Sequence, residues 1–329
     1  MIHGHQQILN RACVTGGAGF IGSHLVGALV AQGVHVRVLD NLSTGREANL
    51  RSVRSRIEFV NGSVCDDAAL DAGCAGADLV FHLAAYVSAP GSVNEPMACH
   101  ETNTTGTLRV LDACRRAGVR RIVFASSAAV YGDSEVVPKT EDQPIMPCSV
   151  YAQSKAAGEH LLRVWSHCHG LEAVSLRFFN VFGPRQTADS AYAAAIAAFA
   201  EGMLRGRRIK IFGDGGQTRD FVPVADVVQC LLCAARWSGP ARGDVFNVGL
   251  GRSITIRELA AMMASILGVP DNPEFLPPRG GDVRHSLADI SSTRSNLGYV
   301  PSEGVEPCLR ETLAWYQRLI HESGLIQSA

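Results

Sequence analysis

No sign of charge dominates the 329 residues. The chain has 30 lysines and arginines against 31 aspartates and glutamates, a formal net charge of −1. Without a basic excess there is little to hold a polyphosphate backbone or an anionic bilayer, so nucleic acid and membrane surfaces are not expected partners. Apolar runs are short, none approaching the roughly 20 residues that cross a bilayer. The first eleven residues lack the apolar centre of a secretion signal, and the expected location is the cytoplasm. Ten cysteines are present, but only Cys230-Leu231-Leu232-Cys233 is a C-x-x-C; it has no second pair and lies in an apolar helical stretch that reads as core. The thiols are expected to be reduced. The eleven histidines form no ligand pattern, so no metal is expected. Internal repeats and low-complexity tracts are absent.

What is present begins with Thr15-Gly16-Gly17-Ala18-Gly19-Phe20-Ile21-Gly22. An apolar run, 12–14, precedes it and an amphipathic run, 23–31, follows, which is the order strand, glycine turn, helix. Gly16 allows the tight turn, Gly19 lets backbone approach a pyrophosphate, and Gly22 lets the helix lie close to the strand with its positive end towards the anion. A second strand, 35–39, ends in Asp40, 18 positions after Gly22. An acid there suits hydrogen bonds to the adenosine ribose hydroxyls and repels a 2'-phosphate, so the expected cofactor is NAD rather than NADP.

Strand-like and helix-like segments alternate along the first half: strands at 57–60, 79–83, 121–125 and 173–177, helices at 96–117 and 151–169. Short apolar strands in that order imply an α/β fold, a doubly wound parallel Rossmann sheet with helices on both faces. Beyond about Gly183 the pattern loosens, with strand-like pieces at 209–212 and 245–248, helical stretches at 191–206, 224–237, 256–267 and 305–321, and Pro/Gly clusters such as 277–281. The expected division is an NAD-binding domain over 1–182, joined by part of 224–250, and a smaller C-terminal α/β substrate domain over 183–329.

Tyr151 and Lys155 are four apart on a predicted helix and share one face. A phenol of pKa about 10 is a poor base at neutral pH. The expectation is that the Lys155 ammonium, with the positive nicotinamide, stabilises phenolate and lowers that pKa, so that Tyr151 can take a proton from a sugar hydroxyl. Ser127, at a strand end, can share the hydrogen bond.

The chain resembles the extended short-chain dehydrogenase/reductases, and among them the UDP-sugar 4-epimerases, most closely those acting on UDP-N-acetylglucosamine. The likeness spans residues 11–317. It is carried by the glycine motif, Asp40-Asn41-Leu42, His82-Leu83-Ala84-Ala85, Asn103-Thr104-Thr105-Gly106-Thr107, Ser126-Ser127, Tyr151 to Lys155, Arg177-Phe178-Phe179-Asn180, Gly213-Asp214-Gly215, Arg219-Asp220-Phe221 and Gly281-Asp282-Val283-Arg284-His285-Ser286. The resemblance implies NAD contacts at Gly16, Gly19, Phe20, Ile21, Gly22, Asp40, Asn41, Ser63, Val64, Leu83, Ala84, Ala85, Asn103, Tyr151 and Lys155. It implies UDP-sugar contacts at Ser88, Ser127, Asn180, Ile211, Phe212, Arg219, Arg279, Asp282 and Ser286. Arg219 and Arg279 suit a diphosphate through their fixed donor forks. Ser286 falls where a tyrosine restricts the family to plain hexoses and a small residue admits an N-acetyl group.

Three departures from the family pattern stand out. Ser63 replaces an aspartate, Gly91 replaces a longer polar side chain, and Ala128-Ala129 replace the acid pair of the dehydratases, which disfavours water elimination. A UDP-glucose 4-epimerase remains an alternative, as does an epimerase or decarboxylase of a UDP-uronic acid, for which Ser88 and Arg185 are available to grip the carboxylate. A homodimer is implied through helices 96–117 and 151–169; Leu108, Leu111, Leu161 and Leu162 could serve that interface or only the core.

Overall fold

The structure is a computed structural model that describes residues 10–187, 195–278 and 283–327. Seven parallel strands lie side by side in the order Arg242–Val248, Glu172–Phe178, Arg121–Ser127, Leu79–His82, Arg11–Thr15, His35–Asp40, Ile57–Asn61. These strands are apolar on both faces because helices cover both. Val14 pairs with Val38 on one side and Phe81 on the other, and all three are fully buried. Each such side chain contributes on the order of 1.5–3 kcal/mol, so Phe81→Ala would cost about 3–5 kcal/mol. One face is covered by helices Phe20–Ala31 and Val224–Arg236, whose core includes Leu25, Leu29, Leu231 and Val248. The other carries Asp67–Cys74, Gly106–Ala117 and Val150–His169.

The strand sequence runs outward in two directions from Arg11–Thr15, so the carboxyl ends of that strand and of Leu79–His82 form the switch point where open α/β sheets bind ligands. The sheet also recruits Arg242–Val248 from the second half of the chain, paired with Glu172–Phe178.

The rest of the second half gathers round its own apolar cluster, with Phe199, Met203, Leu259, Met263, Leu309 and Leu313 contributed by helices Ala195–Leu204, Ile256–Leu267 and Glu306–Gln327. Thr255 and Glu258 start the middle helix as a capping box. Short strand pairs flank the cluster: Lys210–Phe212 with Glu274–Leu276, and Thr218–Arg219 with Ile254–Thr255. Asp220, fully buried, ties this region down by accepting the amides of Leu250, Gly251 and Ala288 at 2.7, 3.0 and 3.3 Å.

The single helix expected over 96–117 is interrupted. Pro96–His100 and Gly106–Ala117 are joined by a π-helical turn, Glu101–Thr105. The wider turn places Asn103, 3 % exposed, where its side chain grips the Tyr86 backbone, a tertiary contact no local periodicity signals. Two leucines considered for a dimer face, Leu111 and Leu162, are fully buried in the chain's own core, whereas Leu108 is exposed. Among the described residues, no helix is long and apolar enough to cross a membrane.

Candidate active site

The glycine turn is built as a cradle. Gly16 has φ +70°, and a Cβ there would stand 2.7 Å from the Ala84 nitrogen; one on Gly22 would stand 2.1 Å from the Gly16 oxygen. Gly19 caps helix Phe20–Ala31 without a side-chain hydrogen bond and no acid occupies the first turn, so the leading amides of Phe20 and Ile21 are left for an anion. Asp40 accepts one amide on each oxygen, from Ala18 at 2.9 Å and Leu42 at 2.8 Å. One or more lone pairs per oxygen remain for ribose hydroxyls. Asn41 closes its own turn by accepting the Ser43 amide. Ser63 accepts the Cys65 amide at 3.1 Å and can still donate its hydroxyl proton, while Val64 is buried. This cradle fits NAD.

Behind the cradle a chain of hydrogen bonds has one direction throughout. The Thr107 hydroxyl donates to the Asn103 carbonyl at 2.5 Å, so it accepts from His82 Nε2 at 3.0 Å. His82 Nδ1 therefore accepts from Thr15 Oγ1 at 2.8 Å, and Thr15 in turn accepts the Ala84 amide at 3.2 Å. Burial, helped by the Lys155 charge, lowers the His82 pKa to about 3, which keeps the ring neutral in this tautomer. Leu83 and Ala84 are thus held against Gly16.

Asn103 donates to the Tyr86 carbonyl and to Ser154 Oγ at 2.9 Å, and accepts the Tyr86 amide. Both its amide hydrogens are engaged within the protein. It links the strand end at Ala85 to the helix of Tyr151 and Lys155.

That helix, Val150–His169, starts at Ser149, whose hydroxyl accepts the Ala152 amide. The Tyr151 amide donates to Ser92 Oγ at 3.0 Å, which pins the 88–92 loop against the helix start. In the same loop Ser88 accepts the Gly91 amide, and a Cβ on Gly91 would stand 2.7 Å from both Ser88 Oγ and Tyr86 Oη. Ser127, at the end of strand Arg121–Ser127, accepts the Ala129 amide at 3.2 Å and lies close enough to the Tyr151 phenol to lower its pKa. Lys155 is 4 % exposed; its Nζ donates to the Ala125 carbonyl at 2.8 Å and lies 5.9 Å from the centre of the Tyr151 ring.

The electrostatics correct one expectation. Burial raises the Tyr151 pKa, opposed by Ser127, and Lys155 is not among the groups that lower it. Lys155 is itself shifted down to about 8 by burial, and its proton donor is aimed at a carbonyl rather than at the phenol. Desolvation outweighs the opposing effect of Ser127 and leaves the phenol a weaker acid than in water.

The second half of the chain supplies the other wall. Thr218–Arg219 lies beside Ser286, whose amide donates to the Thr218 carbonyl at 3.2 Å. Asn180 is exposed next to the same segment, its amide donating to the Asp220 carbonyl, and its carboxamide bonds no described residue. Arg284 forms a two-pronged ion pair with Asp214 at 2.7 and 2.9 Å that braces the approach to Ser286. Of the pair expected to flank a base, Ile211 is 1 % exposed and sealed in the core, because neighbours on a strand face opposite ways; Phe212 is half-buried. Arg279 and Asp282 lie outside the described residues.

The expected residues of the first half therefore converge on the switch point. Three others went unassigned in the sequence: Ser126, Glu159 and Arg177, a buried cluster behind Ser127. The signal was available, since Glu159 extends the four-residue spacing of Tyr151 and Lys155.

Residues 12–249 match the NAD dependent epimerase/dehydratase family. The chain belongs to that family. It is an enzyme, an isomerase of the epimerase type, and NAD is its cofactor. It is 41% identical to a UDP-glucose 4-epimerase of Mycolicibacterium smegmatis over 93% of this chain and 98% of the relative. A UDP-N-acetylglucosamine 4-epimerase from Methanobrevibacter ruminantium, solved with UDP-N-acetylmuramic acid, is 39% identical with a TM-score of 0.90, covering 94% of this chain and 98% of that one. A UDP-glucuronic acid 4-epimerase from Bacillus cereus, solved with UDP-glucuronic acid and NAD, is 30% identical with a TM-score of 0.86, covering 94% and 99%.

Proposed function

We propose that this enzyme inverts C4 of a UDP-hexose, interconverting UDP-N-acetylglucosamine and UDP-N-acetylgalactosamine. The observation that carries the choice of sugar is Ser286: a small, half-buried residue against the strand of Arg219, it leaves room for an N-acetyl group at C2. The catalytic assignment rests on the closeness of Ser127 to the Tyr151 phenol with Lys155 one turn away.

Tyr151 takes the proton of the 4-hydroxyl, and Ser127, bonded to both, carries part of the transfer. Lys155, with donors left beyond its bond to the Ala125 carbonyl, would hold the nicotinamide ribose. NAD, when bound, supplies the site that accepts the C4 hydride and gives it back. Arg219 and Asn180, with Arg279 and Asp282, hold the nucleotide diphosphate and its ribose, so the 4-keto sugar can turn about its diphosphate link and present its other face. Tyr151 then returns the proton. Alanine at 128 and 129 gives no acid for dehydration.

The test is a panel of UDP-N-acetylglucosamine, UDP-glucose and UDP-glucuronic acid with product identification, repeated with Ser286→Tyr. A buried aromatic clash costs about 1–3 kcal/mol, or roughly five- to 150-fold in kcat/KM. That loss should fall on the N-acetylated sugar while UDP-glucose is spared. Equal losses on both sugars, or turnover of the uronic acid alone, would overturn the reading.

A further inference from the structure

Tyr151, Lys155 and Glu159 follow one another at four-residue spacing on helix Val150–His169 and so lie on one face. The first two belong to the proposed chemistry. Glu159 is 4 % exposed and turns its carboxylate to the sheet. Its Oε1 accepts from Ser126 Oγ at 2.5 Å and from Arg177 Nε at 2.9 Å, and its Oε2 accepts from Arg177 Nη2 at 2.8 Å. Arg177 is also 4 % exposed. Its guanidinium lies 4.8 Å from the centre of the Tyr131 ring. Tyr131 donates to Asn247 Oδ1 at 2.7 Å, and Asn247 Nδ2 reaches the Lys139 and Asp289 carbonyls. One carboxylate thus joins the helix to strands Arg121–Ser127 and Glu172–Phe178, and through Tyr131 to Arg242–Val248.

A buried ion pair is a poor way to secure a helix to a sheet, because taking two charges out of water costs much of what their attraction returns. Apolar side chains would do that task at least as well. What they could not do is hold a hydroxyl next to Ser127 in one direction.

We propose that Glu159 is a positioning residue for the proton-handling site: through Ser126 it sets Ser127 against Tyr151. The proposal rests on the epimerase reading above.

Three variants of the NAD-loaded enzyme test this. Glu159→Leu combined with Arg177→Met removes both buried charges together, which leaves neither unpaired. Ser126→Ala removes only the grip on the strand. Glu159→Asp keeps the charge on a shorter arm. In the double variant, NAD content and KM for the UDP-sugar should hold while kcat falls roughly tenfold. Ser126→Ala should lower kcat several-fold with KM unchanged, and Glu159→Asp should retain part of what the double variant loses. A folded, NAD-loaded double variant with unchanged kcat, or one whose KM rises in place of a fall in kcat, would overturn the proposal. If the double variant does not fold, unchanged kcat in Ser126→Ala overturns it instead. Wild-type protein inactive on every UDP-sugar would instead count against the epimerase reading, so the two failures are distinct.

Discussion

Lys155→Met should make the NAD-free protein more stable while abolishing turnover. Burial brings the Lys155 pKa from 10.5 down to about 8. At about 1.4 kcal/mol per unit, the charged form is disfavoured by on the order of 3 kcal/mol in the folded state. Methionine removes that cost and fills a similar volume. It forfeits the bond from Nζ to the Ala125 carbonyl, worth about 1 kcal/mol, while Ala125 stays paired with Leu176 in the neighbouring strand. The net gain is about 1–2 kcal/mol. With roughly 2 cal/mol/K of unfolding entropy per residue, a chain of 329 residues converts this to a rise in Tm of about 2 °C. The sign with pH follows from proton counting. The folded state binds fewer protons than the unfolded chain between about 8 and 10.5, so wild-type stability rises with pH through that window. The advantage of the variant should be full at pH 7 and close to zero near pH 9.5, where the charge penalty has fallen by about 2 kcal/mol. Calorimetry on NAD-free protein at both pH values reads the difference; bound NAD must be removed because it stabilises the folded state by mass action. A variant less stable than wild type at pH 7, or a difference that ignores pH, would refute the argument.

Tyr151→Phe should keep NAD and UDP-sugar binding and lower kcat by roughly 10²- to 10⁴-fold; a loss under tenfold would exclude Tyr151 as the base. Because the carboxylate of Asp40 meets a 2'-phosphate, turnover should proceed without added NADPH, and purified protein should carry some NAD. A stoichiometric demand for NADPH with net oxidation would remove the epimerase reading. Val93, Met97 and Leu108 are exposed apolar side chains on or beside helices Pro96–His100 and Gly106–Ala117, and we expect a homodimer that covers them. Light scattering at micromolar concentration that returns the monomer mass would contradict this.

Local chemistry made the main parts of the site legible in the linear chain. A glycine turn, an acid at the next strand end, and a tyrosine and lysine four apart each depend on residues close in sequence, because turns, caps and helix faces are set by near neighbours. The parallel sheet was legible for the same reason, from the alternation of short apolar strands with helices. Other features were decided only when distant segments met. Whether Leu111 faced a partner or the core, whether Ile211 or Phe212 was the more deeply buried, and which way His82 carries its proton all depend on what each side chain packs against. So does the direction of the Tyr151 pKa, since desolvation is a property of the assembled surroundings. The carboxylate of Glu159 reaches Ser126 across 33 residues and Arg177 across 18; helix periodicity could place it on the face of Lys155, but only the packed sheet could supply its partners.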